Sequence, residues 1–309
     1  MAGRASARSV TFDPRIVVER PFPVRVAARC WLFMRRQPLG TFGLLIVLLL
    51  VLAAIFAGQI APHDPEQIHL RNRLEGSSGE FWLGTDATGK DIFSRLVYGA
   101  RISMMVGFGA VAIGTTGAAF LGIVSGFLGG AADKVIQRFV DAWQAMPGLI
   151  ILITFLGIAR RMPNVNILLA MVLAIGILSI AGSSRVIRAQ VLTIKNQPYV
   201  EAARCMGAGN ARIIWNCVVP NVFPLMLVSM TVALGGVILA EASLSFLGFG
   251  PAGEPSWGQM LSVDGREYMR VQPGLAIWPG VCIALAVFGF NVFGDALRDT
   301  LDPRLRGSR

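Results

Sequence analysis

The sequence predicts an all-α integral membrane protein with six transmembrane helices, and three observations carry that prediction. Hydrophobic residues fill 54% of the 309 positions and charged residues only 15%, far from the average of soluble domains. Six apolar runs approach the ~20 residues that cross a bilayer. They lie at about Thr41–Ala61, Ile102–Phe127, Val135–Ile158, Asn166–Ala181, Asn221–Ser243 and Leu275–Phe293. With the N-terminus inside, the segments on the cytoplasmic side carry 19 of the 28 Lys and Arg and the opposite side 9, the bias expected of a chain with both termini inside.

Each element follows from local composition. Residues 1–40 form a cytoplasmic arm whose Arg4, Arg8, Arg15, Arg20, Arg25, Arg29, Arg35 and Arg36 are explained by membrane orientation, so no nucleic-acid role is assigned. The first span follows this arm and is long enough to be a retained anchor rather than a cleaved signal. The six-helix transmembrane domain occupies 41–293, with an external loop at 62–101, a cytoplasmic loop at 182–220, a second external loop at 244–274 and a cytoplasmic tail at 294–309. Within the first external loop, Ile92–Tyr98 reads as a short amphipathic helix feeding the second span. Gly122-Ile-Val-Ser-Gly126 and Gly126-Phe-Leu-Gly-Gly130 let helices approach closely, within the subunit or against a second one. The third span opens on a polar turn and becomes strongly apolar only after Pro147. Arg160 and Arg161 run against the charge bias, which leaves the fourth span the least defined. The loop with Glu254, Trp257 and Tyr268 reads as a surface lid or a contact for an external protein. In the tail, Asp295, Arg298 and Asp299 at helical spacing suggest a short ion-paired interfacial helix.

Catalytic chemistry finds little support. Gly84-Thr-Asp-Ala-Thr-Gly89-Lys90-Asp91 is one residue short of a P-loop. Asp91 stands where a hydroxyl residue would meet magnesium, Asp86 would face the phosphates, and no β-rich strand leads in. His63 and His69, beside Asp64 and Glu66, lack the further ligands of a metal centre. Cys30, Cys205, Cys217 and Cys282 avoid the external loops and read as free thiols. No catalytic, cofactor-binding or metal-binding residue is expected, and the chain is not expected to be an enzyme.

Without a P-loop, energy for transport must come from a partner or an ion gradient. An ion-coupled carrier or channel usually carries carboxylates near the midplane. Asp141, Glu241 and Asp295 fall near span boundaries, where a carboxylate can reach water, and this weakens that alternative. Pro147, Pro224 and Pro279 lie in or near spans and are candidate hinges, since each lacks an amide donor. With Glu241 they form the candidate pathway or hinge set.

The segment Tyr199–Asn221, YVEAARCMGAGNARIIWNCVVPN, is a polar, basic island between two apolar runs. It reads as helix, Gly-containing turn and second helix. Glu201-Ala202-Ala203 and Arg204 form the first helix, and Gly207 and Gly209 permit the turn. This pattern resembles the EAA loop of ABC-importer permeases: EAA, three residues, Gly, nine residues, then I-x-L-P, here with Cys217 and Val219 at the apolar positions and Pro220 in place. Three further strings resemble permeases that import dipeptides, oligopeptides or nickel: LGTDATGKDIFSRLVYGARIS (Leu83–Ser103), LAEASLSFLGFG (Leu239–Gly250) and NVFGDALRDTLDPR (Asn291–Arg304). Lys90 replaces the more usual Arg. The resemblance runs from about Arg35 to Arg304 and points to the C-type permease subunit.

That resemblance implies the type I ABC importer permease fold in a bacterial or archaeal plasma membrane. It implies a homologous permease, two ABC ATPase subunits that bind ATP and magnesium, an extracytoplasmic solute-binding protein and a peptide substrate, with a nickel chelate, glutathione or another small solute as alternatives. Glu201, Ala202, Ala203, Arg204, Gly207 and Gly209 would be the ATPase-coupling residues.

Overall fold

The computed structural model describes residues 34–301. Most of the N-terminal arm, Cys30, Asp302 and Arg304 lie outside the described residues. The chain divides into two units, Met1–Pro38 and Leu39–Arg309, and the second holds every contact below.

The described residues form helices and loops, with no strand among them. The helices are α1 Pro38–Ile55, α2 Ala57–Ile60, α3 Ile92–Leu128, α4 Gly130–Ala145, α5 Gly148–Ala159, α6 Ile167–Lys195, α7 Pro198–Cys205, α8 Asn210–Phe246, α9 Trp257–Met260, α10 Arg266–Tyr268 and α11 Gly274–Leu301. Five of them (α1, α3, α6, α8 and α11) are long and apolar enough to cross a membrane, and α4 with α5 makes a sixth crossing if the bent pair is one span.

Four predicted spans prove longer than their apolar cores, among them the fifth, which runs over Asn210–Phe246. The second begins at Ile92, so the loop expected at 62–101 ends at Asp91 and Ile92–Tyr98 is the first turns of a 37-residue helix. The reason is local: the Asp91 carboxylate accepts from the amides of Phe93 and Ser94, filling the N-cap. The fourth span runs on from Ala181 to Lys195, so the expected 182–220 loop starts with helix. Its polar turns persist because Arg185 pairs with Asp141 and Arg188 with Asp133, both on α4. The sixth continues to Leu301, absorbing the start of the expected tail.

The third span is not one helix. Met146 is extended, Pro147 caps a new helix, and α4 meets α5 at 81°. A residue before proline is driven out of the helical region, which places the break there. Pro224 and Pro279 instead sit inside continuous helices, while Pro147 stands at the 81° break.

α3 and α6 pack closest through small residues. A Cβ at Gly122 would lie 2.7 Å from the Ser184 carbonyl, and one at Gly126 would lie 3.0 Å from Val191. Gly122 and Gly126 therefore serve packing within this chain, whereas a Cβ at Gly130 would meet nothing within 4 Å. Two apolar clusters result. The larger fills the bundle from Val47 to Phe290; the smaller joins Ala118, Phe127, Ile187, Val191, Val200 and Val218 beneath α7.

The loop end of the bundle, formed by residues 61–91 and 247–273, is tied down rather than loose. Trp257 is fully buried and donates Nε1–H to the Leu96 carbonyl at 2.9 Å. A Cβ on Gly258 would fall 2.1 Å from the Ala242 carbonyl. Trp257 and its neighbours are thus wedged into the bundle, a correction to the surface-lid expectation. Arg160 donates to the Gly250 carbonyl and lies 5.6 Å from the Phe249 ring centre, which gives that charge a local role.

Candidate functional site

The site is the turn end of α7, and its shape follows from sequence. Pro198 occupies the first turn of α7, where its missing N–H costs nothing. At the other end Gly207 N–H donates to the Arg204 carbonyl at 2.9 Å and Ala208 N–H to the Ala203 carbonyl at 3.0 Å. This is a Schellman closure, and it demands a left-handed residue at the position after the cap. Gly207 supplies it with φ +83°. Ala203 and Ala208, the two positions that touch in such a closure, are both half-buried against the smaller apolar cluster.

Gly209 does not share that role. Its φ of −68° and ψ of 160° are open to any residue, and it caps the start of α8 instead. The predicted second short helix is continuous with the fifth span: Asn210–Ile213 passes through a π turn, Ile214–Val218, into Val219–Phe246. Pro220 cannot donate to the carbonyl four residues back, and the helix widens there. Asn221 Nδ2 donates to the Cys217 carbonyl at 2.7 Å, satisfying a neighbouring acceptor.

The exposed face carries Glu201, Ala202, Arg204, Cys205, Gly207 and Gly209, with Met206 at 82% exposure and Trp215 at 69%. The buried face carries Val200, Ile213 and Val218. All six predicted coupling residues therefore lie on one short element. It rests on Phe127 at the end of α3: Lys195 Nζ donates to the Phe127 carbonyl at 2.6 Å, and the Arg204 guanidinium lies 6.0 Å from the ring centre. Sequence reasoning missed Phe127, Lys195, Met206 and Trp215; the available signal was an aromatic and a cation at the ends of two adjoining spans.

The other candidates lie elsewhere. Glu241 sits near the far end of α8 from Gly209 and is 0% exposed, not at a water-facing boundary. Ser103 and Ser245 hydroxyls donate to its two oxygens, each at 2.8 Å. Hydropathy marked a span edge there, but Trp257 and Ser256 fold over it.

At the loop end, the P-loop-like turn is filled by its own anion. The Asp86 carboxylate accepts from the amides of Thr88 and Lys90 and from Arg95. Arg95 also reaches Asp264 at 3.3 Å. Burial and the nearby Asp86 charge hold the Asp264 carboxyl above its ordinary range, partly offset by Arg95. His63 lies against Phe81, with ring centres 5.0 Å apart, and its Nδ1 is 3.6 Å from the Asp91 carboxylate.

The sequence is similar to known families and proteins. Residues 118–307 match the family described as binding-protein-dependent transport system inner membrane component. Residues 27–76 match the N-terminal TM domain of oligopeptide transport permease C. The chain is 37% identical to the dipeptide transport system permease protein DppC of Alkalihalophilus pseudofirmus, over 88% of each chain. It is 38% identical to the oligopeptide transport system permease protein OppC of Bacillus subtilis, again over 88% of each. It is 38% identical to the glutathione transport system permease protein GsiD of Pectobacterium atrosepticum, over 89% of this chain and 90% of the relative.

Proposed function

The chain belongs to the family of binding-protein-dependent transport system inner membrane components, and from that premise we propose that it is one permease half of an ATP-driven importer of short peptides. The observation that carries the mechanism is the Schellman-closed turn of α7, which presents Glu201 to Gly209 outward while its inner face joins α3, α6 and α8. Such an element is a handle. A cytoplasmic ATPase that holds it differently in two nucleotide states moves the helices behind it.

In this reading Glu201 pairs with a basic residue of the ATPase, and Ala202 permits close approach. Two ATPase subunits supply ATP and magnesium, a homologous permease completes the pathway, and an extracytoplasmic binding protein delivers substrate at the loop end. The turn end is cytoplasmic, with both termini inside, in agreement with the Lys and Arg bias. Two of the relatives are named for dipeptide and oligopeptide transport and one for glutathione, itself a small peptide. Peptide is the substrate class common to all three.

The test is mild detergent extraction from the native membrane, with wild type beside Glu201→Lys. Wild type recovers a P-loop ATPase and a second permease, and the mutant loses the ATPase. Equal recovery of the ATPase by both would remove Glu201 from the contact, and no ATPase with wild type would remove the reading.

A further inference from the structure

We infer that Phe127 is the positioning residue through which movement of α7 enters α3. The inference rests on the proposed docking of an ATPase at α7 and goes one step inward from it. Phe127 is 4% exposed in the last turn of α3. Two cations from two other helices flank it: Lys195 Nζ, the last residue of α6, at 5.8 Å from the ring centre, and the Arg204 guanidinium of α7 at 6.0 Å. Lys195 also donates to the Phe127 carbonyl, where a cation suits the negative end of the helix. One ring is thus held by α6 and α7 at once, through its π face as well as its bulk.

α3 continues from this grip as a single 37-residue helix, about 55 Å long. At its other end Arg95 meets Asp86 and Asp264, Leu96 accepts from Trp257, and Ser103 donates to Glu241. These fastenings all lie within the first twelve residues of α3, from Ile92 to Ser103. A rigid helix seized at Phe127 therefore carries displacement of α7 to the surface where substrate arrives. Arg204 is exposed beside Glu201, yet its guanidinium also reaches this ring, which gives the two coupling residues different roles: Glu201 for docking and Arg204 for transmission.

The test uses the purified complex of both permeases with their ATPases, without nucleotide and trapped with ATP and vanadate. Hydrogen exchange is read over residues 84–103. Wild type shows a nucleotide-dependent difference there. Phe127→Leu and Arg204→Gln retain the bound ATPase but lose that difference, while Phe127→Tyr and Arg204→Lys keep it. Arg204 is exposed, so Arg204→Gln reports even where Phe127→Leu does not accumulate. The inference is overturned if wild type shows no difference, if Phe127→Leu or Arg204→Gln responds as wild type does, or if both variants release the ATPase. Failure of wild type to hold any ATPase is a different result, and it refutes the docking reading itself.

Discussion

Arg188 grips Asp133 with two nitrogens: Nε donates to Oδ1 at 2.7 Å and an Nη to Oδ2 at 2.5 Å. Ser125 donates to the same carboxylate, so α3, α4 and α6 meet at one residue. A bidentate, half-buried pair is stronger than a surface ion pair. Arg188→Leu should cost about 1.5–3 kcal/mol, the range for hydrogen bonds to a charged group. Thermal unfolding in detergent measures it. Restoration by the exchange Asp133→Arg with Arg188→Asp identifies the pair as the cause, and an unchanged midpoint for Arg188→Leu sinks the assignment.

Gly207 and Gly209 look equivalent in sequence and are not. Gly207→Ala forces a Cβ into the left-handed region and should cost about 1–2 kcal/mol. Gly209→Ala meets open space at an ordinary φ and gives up only a weak N-cap preference, so it should cost less, under about 1 kcal/mol. Paired stability measurements on the purified chain decide this, and a larger loss at Gly209 would contradict the Schellman closure.

Gly122→Ala places a methyl against the backbone carbonyl of Ser184, which cannot swing away. Overpacking of this kind costs roughly 1–3 kcal/mol. Gly236→Ala, where a Cβ meets nothing within 4 Å, is the control. Folded yield and thermal midpoint should fall for the first and hold for the second.

Asp264 gives a pH dependence with a definite sign. Its folded-state pKa stands above the ordinary carboxylate value, because of burial first and the Asp86 charge second. The protonated form is therefore favoured by folding: the contribution is complete below the ordinary value and is lost as pH rises through the raised one. Thermal midpoints from acid to neutral pH should show a smaller upward slope, or a steeper decline, in wild type than in Asp264→Asn. Parallel profiles would mean that Asp264 titrates as a free carboxylate.

The apolar cores of the spans were legible because each is a local run of Leu, Ile, Val, Phe and Ala. Their ends were not. Arg185 and Arg188 look like loop residues until Asp141 and Asp133 are seen to answer them from α4. Asp91 was read as a failed P-loop position, and that reading hid its N-cap. Glu241 looked accessible because the residues that bury it, Ser103 and Ser256, come from elsewhere in the chain. At the candidate site the order Ala203, Arg204, Gly207, Ala208 did encode the turn. What escaped was Phe127, about seventy residues earlier, whose two cationic partners only the fold brings together.

The central claim is that the outer face of α7 and its turn is held by an ATPase. A photo-crosslinking residue at Met206, exposed at the turn end, and another at Ile68, exposed at the loop end, test it in intact membranes. The account predicts a crosslinked product containing a P-loop ATPase from Met206 and none from Ile68. An ATPase crosslinked at Ile68, or absent at Met206, would contradict it.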